Sequence, residues 1–264
     1  MREAENVVLA EYKIVLQACE PLHVGGKPDP LSGAHNPIAA IDGVPVIPGS
    51  TLKGAYRALL ERYLNLQYYD ENAKRWKPGK EAFQPCIPGA EVSPDEQTLV
   101  KAGKYAGRNG SCHYHCDTRN RRHGNMLHPI CPACYLLGCQ GLIGFVSVPM
   151  LKASNAIAHQ LYSARIDRAT GTVTEGANRP YQFVPAGAEF TGMLYVIKRD
   201  NHLNWTLGRP RELSRDTQGD LWLQNSTMEP AQILSEFVES RFPEITRIGG
   251  FKSKGFGAVE IKIK

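Results

Sequence analysis

Cys112-x3-Cys116 and Cys131-x2-Cys134, separated by fourteen residues, form the sharpest chemical pattern in this 264-residue sequence. Two close thiol pairs joined by a loop suit a tetrahedral four-cysteine zinc site, because each pair makes a tight turn that presents two thiolates. Pro132 and Gly124 fit such turns, and His113, His115, His123, His128 and Cys86 are further ligand candidates nearby. Four protein ligands close the coordination sphere, so this zinc would be structural and leave no open position for catalysis. Cys139, after Tyr135-Leu-Leu-Gly138, reads as a core residue. Structural free thiols and a redox CxxC pair are the alternatives to a metal.

A second pattern is basic. In Pro48-Gly-Ser-Thr-Leu-Lys-Gly-Ala-Tyr-Arg57, a helix is expected to start with Ser50 as N-cap, followed by an apolar stripe at Leu52, Tyr56, Leu59/Leu60 and Tyr63. Lys53 and Arg57 oppose the helix dipole near this end, by ~0.3–1 kcal/mol each. Gly54 costs a further ~1 kcal/mol relative to alanine. Such a start suits an anion and a polymer backbone passing close by. The plainer reading is a solvated face with Arg57 and Glu61 paired one turn apart. A third pattern, Gly249-Gly-Phe-Lys-Ser-Lys-Gly-Phe-Gly257, offers backbone N–H groups beside Lys252 and Lys254. It lacks the GKS/T and the following helix of a phosphate-binding nucleotide loop.

The elements that must position these residues are legible around them. Tyr12, Ile14, Leu16 and Ala18 alternate with polar residues as a half-buried strand, and a turn-rich loop follows at 20–30. A strand region is expected over 38–47, then the basic helix, then strands at Ile143–Met150 and Glu189–Lys198, a helix at 229–241 and a closing strand through Val259, Ile261 and Ile263. The order β, β, α, β, β, α, β on one core predicts an α+β fold. From 67 to 140 the periodicity breaks down, which predicts an insertion needing a staple, and 152–187 predicts a protruding hairpin. The net charge of +5 permits nucleic-acid binding without requiring it. Neither a membrane span nor a signal peptide is apparent, so a cytoplasmic protein is expected, with its cysteines reduced or metal-bound.

Taken in order, four blocks resemble the RAMP superfamily. These are Leu22-His-Val-Gly-Gly26, Pro48-Gly-Ser-Thr-Leu-Lys-Gly54, Ile166-Asp-Arg-x-Thr-Gly171 leading to Val184-Pro-Ala-Gly-x-Glu-Phe190, and Ile248-Gly-Gly-x-x-Ser-x-Gly-x-Gly257. The resemblance is to the backbone subunit of type III CRISPR effector complexes (the Csm/Cmr group), in a zinc-bearing variant. It implies a modified ferredoxin-like (RRM-related) domain over 1–264, with a zinc-stapled insertion at 67–140 and a hairpin thumb at 152–187. It implies copies stacked along a CRISPR guide RNA with other subunits, the thumb interrupting guide–target pairing at intervals. Implied RNA contacts are His23, Lys27, Ser50, Lys53, Arg57, Arg165, Arg168, Arg179, Lys252 and Lys254, with Ile166 and Tyr181 as wedges. Such a protein grips shape and phosphate while base pairing reads sequence.

Several members of that group cut target RNA with an Asp of the first loop and a divalent cation. Here His35-Asn-Pro-Ile38 has His35 where the pattern has Asp. Three outcomes are open: Asp29 substitutes as the carboxylate, with Mg2+; His35 does acid–base work; or the subunit is a non-cutting scaffold. Two other functions compete with the backbone subunit, a CRISPR repeat-processing endoribonuclease using His23 or His35, and a zinc-stabilised RNA-binding module without nuclease activity.

Overall fold

The structure is a computed structural model that describes residues 7–27, 35–88, 92–107, 112–115, 126–127, 130–164, 166–174, 179–214, 217–224 and 228–264. Alternation builds strand β1, Val7–Ala18, whose Ile14 and Leu16 are fully buried and whose Ala18 is nearly so. A tight turn at Asp42-Gly43, both at positive φ, folds β2 (Ala40–Ile41) back on β3 (Val44–Ile47). The sheet then runs in the order Val259–Ile263, β1, Glu189–Asp200, Leu151–Ala153, β3, β2. Its described pairings are antiparallel, Ile14 facing Ile263 and Ala18 facing Val259, Phe190 facing Ala153, Ile47 facing Leu151. This mixed architecture with an antiparallel sheet agrees with the expected α+β order.

Helix α1, Gly49–Tyr68, follows β3 and buries Leu52, Tyr56, Leu60 and Leu64 at successive i,i+4 positions. It starts two residues earlier than Ser50 as N-cap would place it. Ser50 lies inside the first turn with its side chain exposed, and the Pro48 carbonyl accepts from the N–H groups of Thr51 and Leu52. The strand expected over Ile143–Met150 shrinks to Val146–Ser147, since Pro149 lacks a ladder donor and pairing resumes at Leu151. The expected helix at 229–241 is one α-turn, Pro230–Ile233, continued as a π-helix over Leu234–Glu239. The wider turn buries Ile233, Leu234, Phe237 and Val238 together.

By internal packing the chain divides into two compact units. The first comprises Met1–Glu11, Arg57–Ser147 and Tyr195–Arg241, and the second Tyr12–Tyr56, Val148–Leu194 and Phe242–Lys264. The 67–140 stretch lies in the first unit, and its described residues bury more apolar surface than its sequence suggests. Helix α2 (Pro94–Lys101) is a surface element closed by a Ser93/Glu96 capping box. Helix α3 (Pro132–Leu137) is buried at all six positions, and Trp76, Phe83 and Ile130 are buried in the same unit.

Candidate nucleic-acid interface and metal centre

In the second unit, three separated segments are tied together by hydrogen bonds. Leu22 and Val184 exchange backbone bonds, the Gln182 side chain accepts from the Ile38 N–H, and the His35 N–H donates to the Pro180 carbonyl at 3.0 Å. From the C-terminal loop, the Gly250 N–H reaches the His23 carbonyl at 2.8 Å. Gly249 makes that approach achievable: its φ is +79°, and a Cβ there would stand 2.4 Å from the His23 carbonyl oxygen. First loop, hairpin base and glycine loop therefore form one surface.

His23 is a positioned group in that surface. Its Nδ1 lies 2.7 Å from the Gln182 carbonyl, which makes Nδ1 the donor and leaves Nε2 as the second ring nitrogen. The ring packs on Phe251 at 4.5 Å, and Phe251 also meets Tyr181 at 5.1 Å and Phe256 at 6.0 Å. Phe251 has a φ of +57°, a strained backbone for an aromatic residue, and the Lys254 ammonium sits 5.0 Å from its ring centre. Tyr181 belongs to this aromatic cluster at the base of the hairpin, half-buried, which corrects its expected place as a wedge. Lys27, His35, Ser50, Lys53, Lys252 and Lys254 are all exposed. Asp29 and Arg165 lie outside the described residues.

The hairpin pairs His159–Ser163 with Arg179–Phe183, His159 opposite Phe183 and Ser163 opposite Arg179. Ile166 bridges Val173 beyond the strands, and Asp167 closes the turn by accepting from the Ala169 and Thr170 N–H groups. Those donors hold the Asp167 carboxyl below the usual carboxylate range. Arg168 and Arg179 are exposed, and so are the large apolar side chains Leu161, Tyr162, Ile166 and Val173, at 45–63%.

In the first unit, the sulfurs of Cys86, Cys112, Cys131 and Cys134 lie within 4.8 Å of one another, all buried. Cys116 lies outside the described residues, and Cys86, one of the alternative ligands in the sequence, completes the described group. The donors fit one tetrahedral ion: at a Zn–S bond of ~2.3 Å the sulfurs stand ~3.8 Å apart, and Cys86 and Cys134 are 3.5 Å apart. Local backbone shapes the group. Cys131 caps α3 with Pro132 as its first residue, Cys134 follows in the first turn, and the Cys131 N–H donates to Cys112 Sγ at 3.2 Å. Hydrogen bonds from Cys112 and the other thiols draw the Cys134 thiol well below its ordinary range. Among the lining residues of a cavity of about 440 Å³ are Cys86, Cys112, Cys131, Glu81 and Gln84.

Arg57 belongs to this centre. Its Nη2 donates to Cys134 Sγ and to the Gly138 carbonyl, its Nη1 to Glu61 Oε1, each at 3.3 Å, and its side chain is 14% exposed. The expectation that Arg57 faces a phosphate is corrected, because a buried guanidinium with three partners is already committed. Burial works against its charge, but the Cys134 sulfur beside it keeps the guanidinium firmly protonated. Glu61 is pushed up to about 7 by burial, against the pull of Arg57.

Comparison with known families decides what these features belong to: the description of the RAMP superfamily matches residues 15–260. The chain belongs to the RAMP superfamily. No curated protein matches its sequence. Among solved structures, a chain titled "Type IV-B CRISPR Complex" is similar at 12% identity, with 97% of this RAMP chain and 90% of that chain covered, at a TM-score of 0.47. No described helix of the RAMP chain is long and apolar enough to cross a membrane.

Two features of this RAMP domain escaped the sequence reading. Phe251 was flagged only by its place between Gly250 and Lys252 in the glycine loop, a weak signal for an aromatic at positive φ. Arg211 stands in an irregular stretch of the sequence, beside Arg209 and Arg215. It is 1% exposed, forked onto Asp220 at 2.7 and 2.8 Å and stacked between Tyr135 and Trp205. No sequence signal links Arg211 to Asp220 nine residues on, because the left-handed Asp220 that permits the pairing is set by tertiary packing.

Proposed function

We propose that this chain is a guide-RNA-binding backbone subunit of a type III CRISPR effector complex, acting in the cytoplasm and repeating along the guide with other subunits. Membership of the RAMP superfamily supports the setting, and one observation carries the reading: the hairpin at 159–183. A hairpin whose Leu161, Tyr162, Ile166 and Val173 all face solvent gains little from folding by itself. It gains when those side chains slide between bases. Lys27, Lys53, Arg168, Arg179, Lys252 and Lys254 supply the sequence-independent grip on phosphates, and Ser50 and Arg165 complete the contact set, while the buried His23 holds the loops in place behind them instead of touching RNA. Zinc held by Cys86, Cys112, Cys131 and Cys134 would cross-link the first unit as a structural ion.

Assembly tests the reading. On a guide RNA, purified protein is expected to form particles that protect the RNA with a regular repeat, at an affinity falling steeply with salt. Cutting of precursor repeat RNA by the protein alone would favour the processing enzyme instead. Binding without periodic protection would favour the plain RNA-binding module.

Cleavage of the target is a separate step, which we assign to the first loop, with Asp29 as the carboxylate for Mg2+ and His35 as an acid–base group. With assembled complex, complementary RNA and Mg2+, Asp29→Ala is expected to abolish regularly spaced products and His35→Ala to slow them. Products unchanged in Asp29→Ala would refute the assignment.

A further inference from the structure

A tetrathiolate site leaves an electrostatic problem that its four ligands cannot solve. Four thiolates around one divalent ion leave two uncompensated negative charges, and here every ligating cysteine is at most 6% exposed. Burying unpaired charge is costly, so such a centre needs donors from outside the ligand set. One is local, the Cys131 amide on Cys112 Sγ. The other comes from α1, far away in sequence: Arg57, whose Nη2 divides between Cys134 Sγ and the Gly138 carbonyl. Those two acceptors lie at opposite ends of α3, Cys134 in its first turn and Gly138 as its C-cap. Glu61, one turn on, holds Nη1 and so fixes the rotamer that points the fork at sulfur.

We infer that Arg57 is the positioning residue of the metal centre, holding Cys134 in its ligating place and offsetting one of the two excess charges. The inference rests on reading the four cysteines as a metal site, and it takes Arg57 out of the RNA contacts. A lysine could supply the charge but not a rigid fork that reaches both acceptors, so Arg57→Lys is a partial replacement. The role is specific to this cation. Arg62, exposed on the same helix, serves as the control.

The test compares full-length wild type with Arg57→Ala, Arg57→Lys and Arg62→Ala. Zinc affinity is measured by competition with a chelating dye, and the sulfur-to-metal charge-transfer band is recorded after Co(II) replacement. Arg57→Ala is expected to weaken zinc binding about 10–100-fold and shift the Co(II) band. Arg57→Lys should fall between it and wild type, and Arg62→Ala should match wild type. Folded Arg57→Ala with wild-type zinc affinity and an unmoved band would overturn the inference. If Arg57→Ala does not fold, Arg57→Lys decides on the same two readouts. Wild-type protein that binds neither Zn(II) nor Co(II) would overturn the metal reading itself, an outcome distinct from metal binding that ignores Arg57.

Discussion

Gly54 is the residue the fold explains least. It sits inside α1, is exposed, and a Cβ placed on it would meet no atom within 4 Å. Packing therefore does not require glycine, while the helix loses ~1 kcal/mol relative to alanine. A backbone left bare beside the exposed Lys53 makes sense where another chain must come close. Gly54→Ala is expected to raise stability by about 0.5–1 kcal/mol in thermal melts and to weaken guide-RNA binding several-fold. A stabilised variant with unchanged RNA affinity would leave the glycine without a role. Sequence marks this position because helix propensity and charge are local quantities. It misplaces Arg57 three residues on, since periodicity gives a residue's face but not what packs there. What packs there is Cys134 and Gly138, supplied by a stretch whose periodicity is broken.

Among the elements, the hairpin carries the sharpest test. Ile166 is 63% exposed, so Ile166→Asp removes little packing and should change stability by no more than about 0.5 kcal/mol. If the tip wedges between bases, the variant should still coat guide RNA but lose the regular interruption in nuclease or chemical footprints. A footprint identical to wild type would remove Ile166 from that role. The hairpin is legible in a polar, turn-rich stretch, and β1 and Val259–Ile263 in their alternation. The strand at 143–150 and the helix at 229–241 were overread. A single Pro149 cuts the first, and the π-turn of Leu234–Glu239 answers a burial demand that an α-helical pattern does not reveal. The resemblance makes Tyr181 a wedge, but two aromatic neighbours, Phe251 and Phe256, hold it half-buried at the hairpin base.

For the molecule as a whole, the two units predict unequal responses to metal loss. A chelator should release amide protection across 67–140 and 195–241, where the four thiols and their surroundings lie, and leave Val259–Ile263 and its partner Ile14–Ala18 protected. Hydrogen exchange followed residue by residue reads this directly, and uniform loss or no loss would each contradict it. The α+β order was legible because each core element has its own period, whereas the division into units was not, because it rests on distant packing. Synthesis gives the metal centre a direction in time. Cys86 leaves the ribosome first and Cys134 last, and Tyr195–Arg241, which completes the same unit, later still. If the four thiols hold zinc as proposed, an ion bound before Cys134 emerges would keep an open coordination position and could exchange, and it would be enclosed only afterwards. Zinc shortage during translation should therefore lower the yield of protein, while the same shortage later should leave finished molecules largely intact.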